Sequence, residues 1–242
     1  MIVIGISGRK QSGKSTAGNF FISLFMSQLE ICEKIYLDEN GEIIVSDLFG
    51  DVAYAGHFDA QNHRSNNETV LKVFKRLDPI IRIYNFADTL KQDICMGILG
   101  LTYEQCYGSD EEKNTLTPLF WNDKQLTARE AMETIGTDIF RKMKDEVWVD
   151  SAINKVIKDQ PDIALITDCR FPNEVGAIKD IDGQIIRLTR DPFNSQAKAE
   201  VALDESLYDW KNFNYILDNT NSPLIDQTTR LKSILEEILQ LS

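Results

Sequence analysis

The residues with the clearest chemical potential are Gly8-Arg9-Lys10-Gln11-Ser12-Gly13-Lys14-Ser15, directly after the apolar run Ile2-Val3-Ile4-Gly5-Ile6. The segment fits G-x-x-x-x-G-K-[ST], the spacing of a phosphate-binding P-loop. Its glycines let the backbone curl so that several N–H groups face one anion. A helix opening behind the loop adds its positive dipole end. Lys14 supplies a point charge for the β- and γ-phosphates, and Ser15 a hydroxyl ligand for Mg²⁺. A Gly/Ser-rich turn with a surface lysine could carry the same letters. The buried strand before it and the helical spacing of Phe20, Phe21, Leu24 and Phe25 after it favour a nucleoside triphosphate site.

Further cations fall where an α/β fold places its ligands, beyond the C-terminal ends of strands. Lys91 follows Phe86-Ala87-Asp88-Thr89-Leu90, Arg170 follows Thr167-Asp168-Cys169, and Arg187 and Arg190 flank Leu188-Thr189. Asp168 ends the apolar run Ile163-Ala164-Leu165-Ile166 and is placed like the acid that holds Mg²⁺ in P-loop proteins. Phosphoryl transfer is mostly positioning and charge stabilisation, so cations spread around two phosphorylated molecules are what such an enzyme needs. A GTPase reading requires a base-recognising N-K-x-D, which Lys113-Asn114 and Asp123-Lys124 do not reproduce. Helicases and motors need more chain and a basic strand-binding surface.

Five apolar, β-branched runs must position these groups as parallel strands: Ile2–Ile6, Ile81–Phe86, Ile163–Thr167, Gln184–Thr189 and Asn214–Leu217. Helical spacing predicts a first helix from Lys14 and later ones over about Thr89–Leu99, Thr127–Thr137, Glu146–Asp159, Pro172–Ile181 and Pro223–Leu239. The fold class is therefore α/β, a three-layer P-loop kinase fold around a five-stranded parallel sheet, in one domain spanning 1–242 with insertions at about 33–77 and 108–120. In the first insertion, Lys34 to Val45 flanks Asn40-Gly41 and predicts a β-hairpin, followed by a long polar loop from Gly50 to Asn67. In the second, Gly108 to Thr115 reads as a charged loop.

The chain has 242 residues and a net charge of −12, a field that opposes stable binding to a nucleic-acid backbone. Its four cysteines form no C-x-x-C pair and its two histidines lie in a polar stretch, so a thiolate or imidazole metal site is not expected. No apolar run reaches the roughly 18 residues of a membrane span, and the first strand leaves no room for a signal peptide. A cytoplasmic setting is expected, that of a host cell if the protein is phage-encoded.

The P-loop, Phe86–Lys91, the block Thr127-Ala128-Arg129-Glu130-Ala131-Met132-Glu133-Thr134-Ile135-Gly136-Thr137-Asp138, Trp148 and Asp168–Glu174 together resemble the bacteriophage deoxynucleoside monophosphate kinases. More distantly the chain is similar to dephospho-CoA kinase and other nucleoside monophosphate kinases. The resemblance covers Met1 to about Arg190 apart from the two insertions, and it implies ATP as donor, a dNMP as acceptor and Mg²⁺. It also implies roles: Gly13 to Thr16 hold the donor triphosphate while Lys10 and Arg129 reach the acceptor phosphate. Gly136, Thr137 and Trp148 line the acceptor nucleoside pocket, although Trp148 between Val147 and Val149 also reads as a core aromatic. Asp168, Arg170 and Glu174 stand at the junction of acceptor and transferred phosphoryl, and Arg190 stabilises transition-state charge. A homodimer is possible by the same resemblance. Members often carry a His and a Ser before the Glu of the stretch Gln196–Asp204, where this chain keeps only Glu200, Leu203 and Asp204. That stretch reads as plain helix and is assigned no site. Another small-molecule kinase and a non-catalytic nucleotide-binding module remain as alternative readings.

Overall fold

In the computed structural model, the described residues are 1–48, 55–63, 65 and 67–241. They divide into two compact units, one of Met1–Asn85 with Val156–Ser242 and one of Phe86–Lys155.

The first unit begins with β1 (Ile2–Ser7), whose apolar run from Val3 to Ile6 is buried, and the P-loop then delivers the chain into α1 (Lys14–Gln28). Next come β2 (Cys32–Leu37), β3 (Ile43–Leu48), β4 (Gly56–Phe58) and α2 (Glu68–Leu77), before β5 (Ile81–Tyr84) returns to the main sheet. Strands β2, β3 and β4 form a separate antiparallel sheet.

The expected hairpin exists, but Asn40-Gly41 does not make a two-residue turn. The strands are joined by a five-residue loop in which the Asp38 carboxylate accepts the N–H groups of Asn40 and Glu42. Gly41, at φ 79°, lies against α1: a Cβ there would stand 2.4 Å from Thr16 Oγ1, and Asn19 donates to its carbonyl at 2.9 Å. The tertiary contact with α1 therefore overrides the local turn preference.

The loop expected from Gly50 to Asn67 is also corrected where it is described, because Gly56–Phe58 pairs with β3; residues 49–54, 64 and 66 lie outside the described residues. Helix α2 went unforeseen. Asn67 caps it by accepting from Thr69 and Val70, and Val70, Val73, Phe74 and Leu77 bury one face. Behind β4, Gln61 accepts from Asn85 at 3.2 Å, and Asn85 accepts from Thr167 at 2.9 Å, so this insertion reaches the edge of the main sheet.

The second unit has a core of its own, with Leu90, Cys95, Leu101, Cys106, Ala128 and Trp148 buried together. It opens with Thr89–Met96, wound as a π-helix, then α3 (Tyr103–Tyr107) and α4 (Asp110–Lys113). The charged loop expected over Gly108 to Thr115 thus contains a helical turn. Ser109 and Glu112 close a capping box around it, an S-x-x-E signal present in the sequence. Strands β6 (Leu116–Trp121) and β7 (Lys124–Thr127) form a ribbon whose two turn residues, Asn122 and Asp123, both have positive φ, the requirement of a tight hairpin turn. Helix α5 (Ala128–Glu133) follows, capped by Thr127 and Glu130, and continues as a π-helix over Thr134–Arg141.

Helix α6 (Val147–Asp159) leads back to β8 (Ile163–Cys169), α7 (Pro172–Lys179), β9 (Gln184–Leu188), the short α8 (Lys198–Val201), β10 (Tyr215–Leu217) and α9 (Leu224–Leu241). The main sheet has the order β10-β9-β1-β8-β5 with every pairing parallel, the five strands read from the sequence. Central β1 is buried on both faces, which explains its unbroken apolar run. At its end Ser7 pairs with Cys169 on one side and with Arg187 on the other. That register brings the P-loop, the β8 end and the β9 end to one edge.

Candidate phosphate-binding site

The P-loop is shaped by two left-handed residues, Gln11 at φ 56° and Gly13 at φ 100°. A Cβ on Gly13 would meet Arg190, Asn219 and Gln227 only at ordinary van der Waals distance, so it is the positive φ that favours glycine here. Ser12 donates its N–H to Arg9, and the first helical bond runs from Ala17 back to Gly13. The loop is braced from outside: Asn219 donates to the Ser12 carbonyl at 2.7 Å, and Arg190 to the Gln11 carbonyl at 3.1 Å.

Lys14 is buried, and its Nζ donates to the carbonyls of Gly8 at 2.8 Å and Arg9 at 2.7 Å. Burial, helped by the nearby Arg170 and Arg187 charges, lowers its pKa to about 7, against opposing pulls from Glu200 and Asp168. Its neighbour Ser15 is exposed on the first turn of α1, and Thr16 is half-buried there. Ser12 Oγ is buried without a hydrogen-bond partner. An unsatisfied buried hydroxyl, a left-handed glycine and a desolvated ammonium in one loop suit an incoming anion.

The remaining sequence candidates of this unit surround the loop. Asp168 is half-buried in β8 next to the last residue of the strand. Arg170 follows the strand and pairs with Glu200 at 2.5 Å. Buried Glu174 accepts the N–H groups of Arg170 and Phe171 at 2.6 and 3.0 Å, so its carboxylate caps α7 and fixes the backbone that carries Arg170. Arg187 is buried, its guanidinium carbon lies 5.5 Å from the centre of the Trp210 ring and 5.7 Å from that of Phe213, and it donates to Ser7 Oγ at 3.1 Å. The Lys10 ammonium stands 5.9 Å from the centre of the Phe193 ring.

Arg9 turns toward the connection between β9 and β10. Its guanidinium meets Asp191 at 2.6 Å, both oxygens of Asp204 and the Ser195 carbonyl. Glu200 accepts the Lys10 backbone N–H. The stretch read as plain helix is therefore helical only over Lys198–Val201, and its acids contact the P-loop. The retained Glu200 and Asp204 were the available signal. Asn219 and Gln227 carried none.

The other candidates belong to the second unit. Arg129 on α5 binds Asp110 at 2.6 Å and Asn114 at 3.1 Å. The Lys91 ammonium stands 4.4 Å from the centre of the Tyr107 ring, whose hydroxyl donates to Asp88 at 2.9 Å. Gly136 is buried: a Cβ there would come within 2.7 Å of Leu90 Cδ2, and its carbonyl accepts the Trp148 indole N–H at 3.0 Å. Trp148 itself is only 4 % exposed and packs beside Phe140, while Thr137 is exposed. Lys91, Gly136 and Thr137 all sit on the two π-helical segments, a winding that recurs at functional sites.

Among the described residues no helix is long and apolar enough to cross a membrane. Two relatives are similar over parts of the chain. A protein of Acanthamoeba polyphaga mimivirus with the provisional name deoxynucleotide monophosphate kinase is 29 % identical over 118 residues, 44 % of this chain and 59 % of its own length. The deoxynucleoside-5'-monophosphate kinase of Escherichia phage T5 is 34 % identical over 67 residues, 27 % of this chain and 25 % of its own. The chain thus spans less than two thirds of either. The sequence model of one family, deoxynucleotide monophosphate kinase, matches residues 64–222, which takes in Asp168, Arg170 and Arg190 but begins after the P-loop. The chain belongs to the deoxynucleotide monophosphate kinase family.

Proposed function

We propose that the chain transfers the γ-phosphoryl group of ATP to a deoxynucleoside monophosphate, giving ADP and dNDP. The observation that carries this reading is the buried Lys14 ammonium, held on carbonyls of a loop whose remaining polar groups suit phosphate. Donor binding falls to Gly8, Arg9, Gln11, Ser12, Gly13, Lys14, Ser15 and Thr16. The acceptor falls to Lys10, Lys91, Arg129, Gly136, Thr137, Trp148, Asp168, Arg170 and Glu174. The exposed Ser15 hydroxyl and the half-buried Asp168 carboxylate are hard oxygen donors fitted to Mg²⁺. Bound there, the ion supplies charge neutralisation on the β- and γ-phosphates.

An oxygen of the acceptor phosphate attacks the γ-phosphorus in line as the bond to the ADP oxygen breaks. The nucleophile is already ionised near neutral pH, so no residue serves as a strong base. Lys14, Arg129, Arg170 and Arg190 neutralise the charge that gathers between the two nucleotides, which is where such reactions gain most. In this reading the chain acts as one kinase domain on small nucleotides in the cytoplasm, that of a host cell if it is phage-encoded, as a monomer or homodimer, without stable nucleic-acid or membrane binding.

A coupled assay for ADP across all ribo- and deoxynucleoside monophosphates, with dephospho-CoA as a further acceptor, tests the proposal. Turnover is expected with at least one dNMP and none with dephospho-CoA. Lys14→Ala should lose activity by about 100-fold or more. Normal activity in Lys14→Ala, or ATP binding with no transfer to any nucleotide, overturns it.

A further inference from the structure

The connection between β9 and β10 meets the P-loop through three carboxylates, and one differs from the others. Asp191 and Asp204 both satisfy the Arg9 side chain. Glu200 instead reaches the backbone of the loop. One of its oxygens accepts the Lys10 N–H, and the other accepts from Arg170 Nη1 at 2.5 Å. The carboxylate is only 9 % exposed, on a helix of four residues. A loop amide and a guanidinium form the donor pair that a phosphoryl group uses, with two oxygens engaging two donors. A carboxylate presents the same two acceptors and the same sign of charge. Its field also reaches Lys14, Arg9 and Arg187.

We infer that Glu200 is an internal competitor for phosphate: its carboxylate occupies a phosphoryl position between the Lys10 amide and Arg170, and an entering phosphoryl group displaces it. Two anions cannot share those donors at a separation of a few ångströms without strong repulsion. Phosphate entry is therefore coupled to withdrawal of the Lys198–Val201 turn, and Arg170 exchanges a protein partner for a substrate one. The inference rests on the phosphate-binding reading of the loop but needs no phosphoryl transfer.

Calorimetric titration with inorganic pyrophosphate, which contains no acceptor nucleotide, tests it in the full chain. Glu200→Gln keeps the side-chain shape but removes the charge, and it is expected to bind pyrophosphate at least about fivefold more tightly than the wild type. In the wild-type protein, saturating pyrophosphate should speed amide hydrogen exchange across residues 198–204, a readout that requires no variant. Weaker or unchanged binding by Glu200→Gln would assign Glu200 to holding Arg170 and the loop ready for phosphate, and would overturn the inference. Slower or unchanged exchange in the wild type overturns it equally. A chain that binds pyrophosphate as expected but phosphorylates no nucleotide would sink the kinase proposal alone.

Discussion

Asp204 joins two arginines from different parts of one sheet edge: it accepts two nitrogens of Arg9 in the P-loop, and its Oδ1 stands 3.7 Å from Nη2 of buried Arg187 at the end of β9. The hydrogen bond that Arg9 donates to Asp204 is the main influence that raises the pKa of Arg9, while burial lowers that of Arg187. One carboxylate thus offsets the cost of placing two guanidinium groups beside the loop.

Replacing it with an amide removes the counter-charge beside buried Arg187 and leaves Arg9 its pair with Asp191. Asp204→Asn is therefore expected to destabilise the protein by about 1–3 kcal/mol, read as a lowered urea midpoint. An unchanged midpoint would mean that solvent already screens the pair.

The parallel sheet was legible because buried strands write themselves as continuous β-branched runs, and the P-loop because its chemistry fixes both residue type and spacing. Turns were less legible. Asn40-Gly41 carries the stronger hairpin signal, yet contact with Thr16 draws it into a longer loop, whereas Asn122-Asp123 makes the tight turn with residues that merely tolerate positive φ. The acids that meet the P-loop were hidden for a related reason. Arg9 and Asp204 lie 195 residues apart, and nothing local to either announces the other.

Lys14 makes folding stability depend on pH in a defined direction. Its folded-state pKa is lowered to about 7 by burial, while in the unfolded chain it titrates near the ordinary lysine value of 10.5. Between these values the unfolded state binds the extra proton, so this group's contribution to stability rises as pH increases from about 7 toward 10. Below about 7 both states carry the proton and the folded protein bears the full burial penalty. Thermal unfolding of wild type and Lys14→Met across pH 6.5–9.5 should show the variant's advantage shrinking as pH rises. Parallel curves would mean that the lysine stays charged in the loop.

Arg129 offers a separation of binding from stability. Its partners Asp110 and Asn114 lie on exposed surface, where an ion pair contributes little. Arg129→Ala should therefore shift the unfolding midpoint by less than about 3 °C. If the guanidinium grips the acceptor phosphate, the same variant should raise the dNMP KM by about tenfold or more with a smaller change in the ATP KM. A large loss of stability with unchanged KM would reassign Arg129 to the fold.

Trp148 distinguishes packing from contact with the acceptor. The indole N–H ends on the Gly136 carbonyl at 3.0 Å, and the ring is enclosed by its own unit's core, including Phe140. Phe fills most of the same space but removes the indole donor to the buried Gly136 carbonyl. Trp148→Phe is thus expected to cost about 1–3 kcal/mol in urea unfolding. Gly136 packs against the end of the Leu90 side chain, so the lost bond should be felt mainly through the position of this backbone. The dNMP KM should then rise while kcat at saturation changes little. A stability loss without any change in KM would confine Trp148 to the core and remove it from the acceptor pocket.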